Sequence, residues 1–290
     1  MDIALLVRDS MLQQRPYKIA RLKEEAEARG HVVHHVDYAD LQVTCRTGIC
    51  EIGWKGAKLP FFDLFYWAFD WDDREAWDLV RAVEEAGYRM YMSHALPLSD
   101  KVSQAFLLAR TGLRIPETRI VSVAMPGQLD EVVFPCVMKG RYGARGELVR
   151  WVETLDDIHK TARELELPEN QPFVLQAPVF PLGVDVRALV IGGEVVAAME
   201  RQAVNGDFRA NFSAGAGVTV TALTAEERAA AVRAAAAFGA PHAGVDFIRS
   251  ADGPVMLEVN MWPGLEGIET ATGLNIAQML VMQMEELARA

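Results

Sequence analysis

The stretch 243–260, AGVDFIRSADGPVMLEVN, carries the residue types best suited to chemistry. Read as a β-hairpin centred on Asp252, it sets Asp246 opposite Glu258, and Asn260, two positions on from Glu258, shares their face. Val245, Phe247, Leu257 and Val259 then serve the core. Two carboxylates with no basic neighbour on that face repel each other unless something positive lies between them. An all-oxygen set with few protein ligands suits Mg²⁺, which completes its shell with water and phosphate oxygens. The other reading is a solvated hairpin face. Against it, strands seldom carry Asp and Glu without a reason, and Pro254, Val255 and Met256 read as buried.

A second signal follows an apolar strand over 132–139: Lys139-Gly140-Arg141-Tyr142-Gly143-Ala144-Arg145-Gly146. It is neither a Walker A loop nor a dinucleotide fingerprint. Its glycines let backbone N–H groups approach an anion, and Lys139, Arg141 and Arg145 add charge. It reads either as a flap over phosphates or as a solvated turn. A third signal is the series Arg187, Arg201, Gln202, Asp207, Arg209 and Asn211. These arginines could neutralise a phosphate or a substrate carboxylate through paired hydrogen bonds, or could form surface ion pairs with Asp185, Glu200 and Asp207. No G-x-S-x-G, H-E-x-x-H or Cys-x-x-Cys occurs, and none of the six histidines stands in a recognisable catalytic motif. Positioning and electrostatics, rather than a protein nucleophile, would carry a reaction here.

These residues need elements to hold them. Residues 3–7, an amphipathic helix over 17–29 ending at Gly30, a strand over 31–36 and a helix over 72–86 ending at Gly87 predict βαβ patterning and a small parallel sheet. The stretch 61–77 holds eight aromatic residues; it reads as a buried strand with its packing, or as a lid or subunit contact. Ser99 is the expected N-cap of a helix reaching Arg110. A helix over 154–166, with Thr154 and Asp157 at capping-box spacing, separates that apolar strand from another over 173–176. Strands over 184–190 and 195–199 flank Gly192-Gly193 as a tight hairpin. A capped helix over 224–238 precedes the 243–260 hairpin, and a last helix starts near Ile276. The expected fold class is α/β with α+β parts, divided at 1–95, 96–175 and 176–290.

At 290 residues the chain is long enough for such a division. It is 51% hydrophobic and 24% charged, which excludes disordered, collagenous and disulfide-scaffold classes. The net charge of −11 argues against nucleic acid or an anionic membrane as partner, since both require a large basic patch. The start reads as a strand rather than a secretory segment, and no apolar run reaches membrane-spanning length. Cys45, Cys50 and Cys136 cannot all pair with one another, so reduced thiols and a cytoplasmic setting are expected. Cys45 and Cys50 with His34 and His35 fit no zinc-finger spacing.

Taken together, Asp246…Glu258-Val259-Asn260, Pro263-Gly264-Leu265-Glu266-Gly267-Ile268-Glu269, Gly206-Asp207-Phe208-Arg209-x-Asn211 and Gly183-Val184-Asp185-Val186-Arg187 resemble the ATP-grasp ligases, and within them the RimK-like branch. The similarity reaches back through Asp100-Lys101 to Val7-Arg8-Asp9. It implies a pre-ATP-grasp domain, a central subdomain and a C-terminal subdomain, with ATP between the last two. By that resemblance Lys101 and Lys139 touch nucleotide phosphates, and Gly140–Gly146, with Gly143 and Gly146, forms the glycine flap. Gln176, Ala177 and Val179 form the hinge that reads adenine. Asp185 lies near the ribose, and Arg201 joins the nucleotide-binding set. Asp246, Glu258 and Asn260 hold Mg²⁺, two ions in the family pattern, with Mn²⁺ as a substitute. Arg187 and Arg209, with Asn211, stabilise the moving charge. The implied activity is ATP-dependent carboxylate–amine ligation through an acylphosphate. Glutamate or a similar amino acid is one substrate, and a protein tail, peptide or small molecule supplies the amine.

The chain departs from that branch at three places. The hinge reads Gln176-Ala177-Pro178, and Pro178 has no N–H, so Ala177 must supply the carbonyl and Val179 the N–H. Phe212-Ser213-Ala214-Gly215 lacks an arginine that would partner an anionic group. Trp262 stands where relatives carry a small residue and suggests a different acceptor. Two other readings follow: a biosynthetic amino-acid ligase of LysX type, and a nucleotide-binding regulator without turnover. A homo-oligomer is compatible with all three.

Overall fold

In the computed structural model of the chain, the described residues are 1–8, 12, 16–68, 74–93, 100–143, 146–204, 206–210 and 216–289. Their contacts group into two units, Met1–Leu96 with Gly264–Ala290, and Pro97–Pro263. No helix among them is long and apolar enough to cross a membrane.

In the first unit, β1 (Asp2–Val7) is the central strand of a parallel sheet, between β2 (Val32–Val36) and β6 (Leu64–Ala68). The helix α1 (Pro16–Ala28) connects β1 to β2 and stops at Gly30, whose φ of 80° is the left-handed value that the sequence anticipates. The helix α2 (Arg74–Glu85) follows β6. The buried-strand reading of the aromatic run holds for its described part: Phe62, Phe65, Tyr66 and Trp67 are core, and the Trp67 indole N–H donates to the Met92 carbonyl at 2.6 Å. Phe61, at 80% exposed, is the exception.

A second sheet, β3 (Leu41–Arg46), β4 (Ile49–Trp54) and β5 (Ala57–Lys58), is an antiparallel ribbon that the sequence reading missed. Cys45 pairs with Cys50 directly across it, and the two form a disulfide, Cα to Cα 4.2 Å. The expectation of reduced thiols fails for this pair, because hairpin register brings residues five apart into opposition. Cys136 is a buried free thiol.

In the second unit, α3 (Lys101–Arg110) is capped by Asp100, whose carboxylate accepts from the Val102 and Ser103 amides. The cap therefore lies one residue beyond the expected Ser99, which is outside the described residues. A four-stranded antiparallel sheet runs β7 (Thr118–Val121), β10 (Phe173–Gln176), β8 (Cys136–Lys139), β9 (Val149–Val152). One face packs with α4 (Leu155–Glu164) in a core that includes Met138, Val152, Ile158 and Phe173. Thr154 and Asp157 form the anticipated capping box.

A five-stranded antiparallel sheet runs β13 (Gly217–Val220), β12 (Glu194–Gln202), β11 (Val184–Ile191), β14 (His242–Ser250), β15 (Gly253–Asn260). The helix α5 (Ala225–Ala237), with its Thr224–Glu227 capping box, contacts β11, β12, β14 and β15. Val186, Ala188, Val245, Phe247 and Val259 make the buried apolar side. After Pro263 the chain returns to the first unit through α6 (Glu266–Thr272) and α7 (Ile276–Arg289), and α7 packs on α1.

The 243–260 hairpin corrects one detail. The turn is Ala251-Asp252, with Ser250 opposite Gly253, and a bulge between Asp246 and Phe247 makes Leu257 the extra residue. Asp246 still faces Glu258, but Met256 rather than Leu257 stands opposite Phe247 and enters the core.

Candidate active site

The face of the five-stranded sheet opposite its apolar side is charged. Asp185 and Arg187 lie two apart on β11. Asp185 pairs with Arg201 of β12, Arg187 with Asp246 of β14, and Asp246 with Glu258 of β15. Period-two alternation therefore presents all five on one side. The Arg187 guanidinium donates to both Asp246 oxygens at 2.7 and 2.6 Å, and Arg201 donates to both Asp185 oxygens at 2.6 and 2.7 Å. Arg201 Nη2 also reaches Asp246 Oδ2 at 2.8 Å.

Arg201 does take Asp185, as the ion-pair reading has it, but both pairs are withdrawn from solvent rather than on the surface, and Arg187 takes Asp246. This pairing also corrects the premise of two carboxylates without positive company, since the compensating charge arrives from the neighbouring strand. Burial would raise the Asp246 carboxyl, but Arg187 and then Arg201 overcome it and hold it below the usual range. Burial dominates at Asp185 and keeps its carboxyl raised, even though Arg201 pulls it down. Burial opposes the Arg201 cation, and Asp246 and Asp185 outweigh that opposition.

Gly244, one row along β14, leaves the room this arrangement needs. A Cβ there would lie 3.0 Å from Pro263 Cβ and 3.3 Å from Arg187 Nε. The sequence reading passed over it, although a glycine inside a strand is itself a sign of close approach. In the same row Asn260 accepts the Trp262 N–H through Oδ1 at 2.8 Å, and the Trp262 ring meets buried His242 edge-on at 6.1 Å.

Beside this face, Lys101, Gln104, Lys139, Gln176, Leu257 and Glu258 line a cleft. Lys139 ends β8, level with Val174 on β10, and thus lies on the side of the four-stranded sheet away from its core. Desolvation draws the Lys139 ammonium down to about 8; Glu258 opposes that and neighbouring Lys101 adds to it. The buried Gln104 accepts the Val259 amide at 3.3 Å, and so ties α3 to β15. Gln176 donates to the Thr118 hydroxyl at 3.0 Å. Beyond it, the Ala177 amide donates to the Glu117 carbonyl at 2.9 Å, and Val179 is half-buried.

The glycine loop folds against Leu148: a Cβ on Gly140 would come within 2.9 Å of that side chain, and on Gly143 within 3.2 Å. Lys101 Nζ donates to the Gly143 carbonyl at 2.8 Å. Arg141, whose charge the flap reading assigns to an anion, makes a two-bond pair with Asp100. Arg209 is clamped by Asp207, as one reading had it, and also donates to the Gly146 carbonyl at 3.1 Å. Ala144, Arg145, Asn211 and the stretch Phe212-Ser213-Ala214-Gly215 lie outside the described residues.

The structure thus gathers Lys101, Lys139, Gln176 and Glu258 at one cleft, and Asp185, Arg187, Arg201 and Asp246 in one network that adjoins Glu258. Among the described residues, no three His, Cys, Asp or Glu side chains form a metal-binding group. The set Asp246, Glu258, Asn260 offers two carboxylates and one amide. Both Asp246 oxygens already accept from guanidinium groups, and Asn260 Oδ1 accepts from the Trp262 amide; by donor type alone, hard oxygens beside two ammonium groups match a divalent cation that shares its shell with phosphate oxygens.

Residues 98–284 match the RimK-like ATP-grasp domain, and residues 1–65 match the RimK pre-ATP-grasp domain. A protein of Shewanella frigidimarina named probable alpha-L-glutamate ligase 1 is 36% identical, covering 99% of this chain and 96% of its own. A probable alpha-L-glutamate ligase of Halorhodospira halophila is 35% identical, over 98% and 95%. Among solved structures, the ATP-grasp ligase PsnB complexed with minimal precursor, Mg and ADP superposes with a TM-score of 0.71, over 100% of this chain and 98% of that one, at 20% identity. A RimK domain ATP-grasp protein from Sphaerobacter thermophilus gives 0.70 at 20% identity, over 98% and 100%. The chain belongs to the RimK-like ATP-grasp family and is an ATP-dependent ligase.

Proposed function

We propose that the ligase joins the carboxylate of one substrate to the amine of another, one of the two being an amino acid, glutamate or a close analogue, with ATP consumed to ADP. A carboxylate is a poor acylating agent. Its oxygen attacks the γ-phosphorus, ADP departs, and an acylphosphate forms. The amine nitrogen then attacks the acyl carbon, phosphate leaves with the C–O electron pair, and the nitrogen loses a proton. No protein nucleophile is needed, so the protein's work is positioning and charge stabilisation.

In this reading Lys101 and Lys139 hold the phosphates beneath the loop that contains Gly143 and Gly146. Gln176, with the Ala177 carbonyl and the Val179 N–H, reads the base. Asp185 belongs to the nucleotide site, and Arg201 serves that site from behind Asp185 as its cross-strand partner. Asp246, Glu258 and Asn260 hold Mg²⁺, as two ions or with Mn²⁺ in its place. Arg187, Arg209 and Asn211 face the charge that moves between oxygens. When bound, the cation supplies Lewis-acid stabilisation of phosphate oxygens. The acceptor is a peptide or protein tail, in the cytoplasm where ATP is supplied. The parts 96–175 and 176–290 would share the nucleotide between them. The observation that carries this reading is the cleft that brings two lysines and Glu258 together, next to the Asp246 network.

The names of the 36%-identical relatives favour glutamate. The Trp262 departure favours a different acceptor, as in the LysX-type reading. ATP consumption measured with Mg²⁺ across a panel of amino acids and peptides tests both. ADP release that requires an added amino acid is the expected result. Tight ATP binding with no consumption under any pairing would leave a nucleotide-binding regulator instead.

A further inference from the structure

Arg201 is the most enclosed charge of the network, at 2% exposed. Its fork grips both Asp185 oxygens, and Nη2 is shared between Asp185 Oδ2 and Asp246 Oδ2. One guanidinium thus ties an acid of β11 to an acid of β14. Arg187, by contrast, touches only Asp246 of the two and is more exposed, 13% against 3% for the side chains. Two buried carboxylates this close repel each other, and without a shared cation each would turn away or take up a proton. Arg carries its donors in a planar fork, which fixes the rotamers of both partners, whereas Lys offers a single point charge.

We infer that Arg201 is a positioning residue: it touches neither substrate nor cation, and it sets the Asp246 carboxylate for the divalent cation while holding Asp185 for the nucleotide. This rests on the assignment of Asp246 and Asp185 proposed above. It makes cation and nucleotide affinity depend on a residue that contacts neither of them. It also explains why a buried arginine stands directly opposite Asp185.

The test uses the full chain and binding rather than turnover. Mn²⁺ binding is followed by electron paramagnetic resonance in the presence of ADP, and ADP binding by calorimetry at saturating Mg²⁺. In Arg201→Lys, Mn²⁺ affinity is expected to fall about 10-fold or more, as for partners that orient metal ligands, and ADP affinity falls with it. Asp185→Asn weakens the tie from its other end. In the double variant the losses are expected to be less than additive, because both changes break the same tie. Losses that add fully overturn the inference, as does unchanged Mn²⁺ and ADP affinity in Arg201→Lys, whether or not turnover is lost. Should Arg201→Lys not fold, Asp185→Asn decides alone: Mn²⁺ affinity reduced supports the tie, and Mn²⁺ affinity unchanged overturns it. If the wild-type chain binds neither Mn²⁺ nor ADP, the ligand assignment itself has failed, which is a separate outcome.

Discussion

The two antiparallel sheets of the second unit use the same architecture to opposite ends. Each packs one face against a helix, α4 or α5. On its other face the four-stranded sheet carries Lys139 at the very end of β8, where the chain passes into a glycine loop. The five-stranded sheet carries Asp185, Arg187, Arg201 and Asp246 within its strands, each held by a cross-strand partner. Side chains at a strand end can follow a ligand that arrives and departs. Side chains within a ladder are fixed in advance, which is where electrostatic stabilisation is most effective. Lys139, and Lys101 at the start of α3 whose bond is to the glycine loop itself, are therefore the adjustable half of the site, and the acids the rigid half.

The sharpest way to break that contrast is at Glu258, which adjoins both halves. Glu258→Ala is expected to reduce ATP turnover by on the order of 100-fold or more, measured as ADP release. Turnover within a few-fold of wild type would remove the cation assignment. Next is the rigid half. Arg187→Ala leaves Asp246 with Arg201 alone, and breaking a buried pair costs roughly 3 kcal/mol or more. Urea denaturation should show that loss together with the loss of activity. Gly244→Ala probes the same network from the backbone. Its Cβ would press on Pro263 and Arg187, and overpacking of this kind costs about 1–3 kcal/mol, visible as a lower denaturation midpoint.

The adjustable half should respond differently. Lys101→Met removes one bond to the Gly143 carbonyl, so stability should change by less than about 1 kcal/mol, while KM for ATP rises. A large stability loss there would erase the contrast between the halves. The smallest effect is expected in the first unit, where Glu285 accepts from Arg29 and His31. The bonds from Arg29, then that from His31, hold its carboxyl down to about 2. A carboxyl depressed on folding contributes stability that is complete above its unfolded value near 4.5. That contribution fades as pH falls toward 2. Glu285→Gln should lower the thermal midpoint at pH 7 by on the order of 3 °C, flatten that acid dependence, and leave KM for ATP unchanged.

Legibility in the sequence followed the range of the interaction. Capping boxes at Thr154 and Thr224, the stop at Gly30 and the Asp246–Glu258 register are local patterns, and they were readable. The bulge at Leu257 was not, because it swaps one apolar residue for another and leaves the register of the acids unchanged. The ribbon β3–β5 was missed, since Thr47-Gly48 between two short alternating runs is a modest signal; with it went the Cys45–Cys50 pairing. Arg141 and Arg187 were read as charges available to a ligand. Asp100 and Asp246, which occupy them, lie 41 and 59 residues away along the chain.

What the sequence determined by itself is therefore the kind of chemistry and the elements that carry it. Two carboxylates and an amide at hairpin spacing, a glycine loop after a lysine, and a row of arginines suffice to specify phosphate and cation chemistry on strands and turns. Which charges answer which is settled by long-range strand pairing. A cross-strand partner is set by how strands distant in sequence come to lie side by side. Inside a sheet, away from water, a charge must find its opposite or lose its ionisation, and that requirement, rather than any local spacing, chose Arg201 to stand between Asp185 and Asp246.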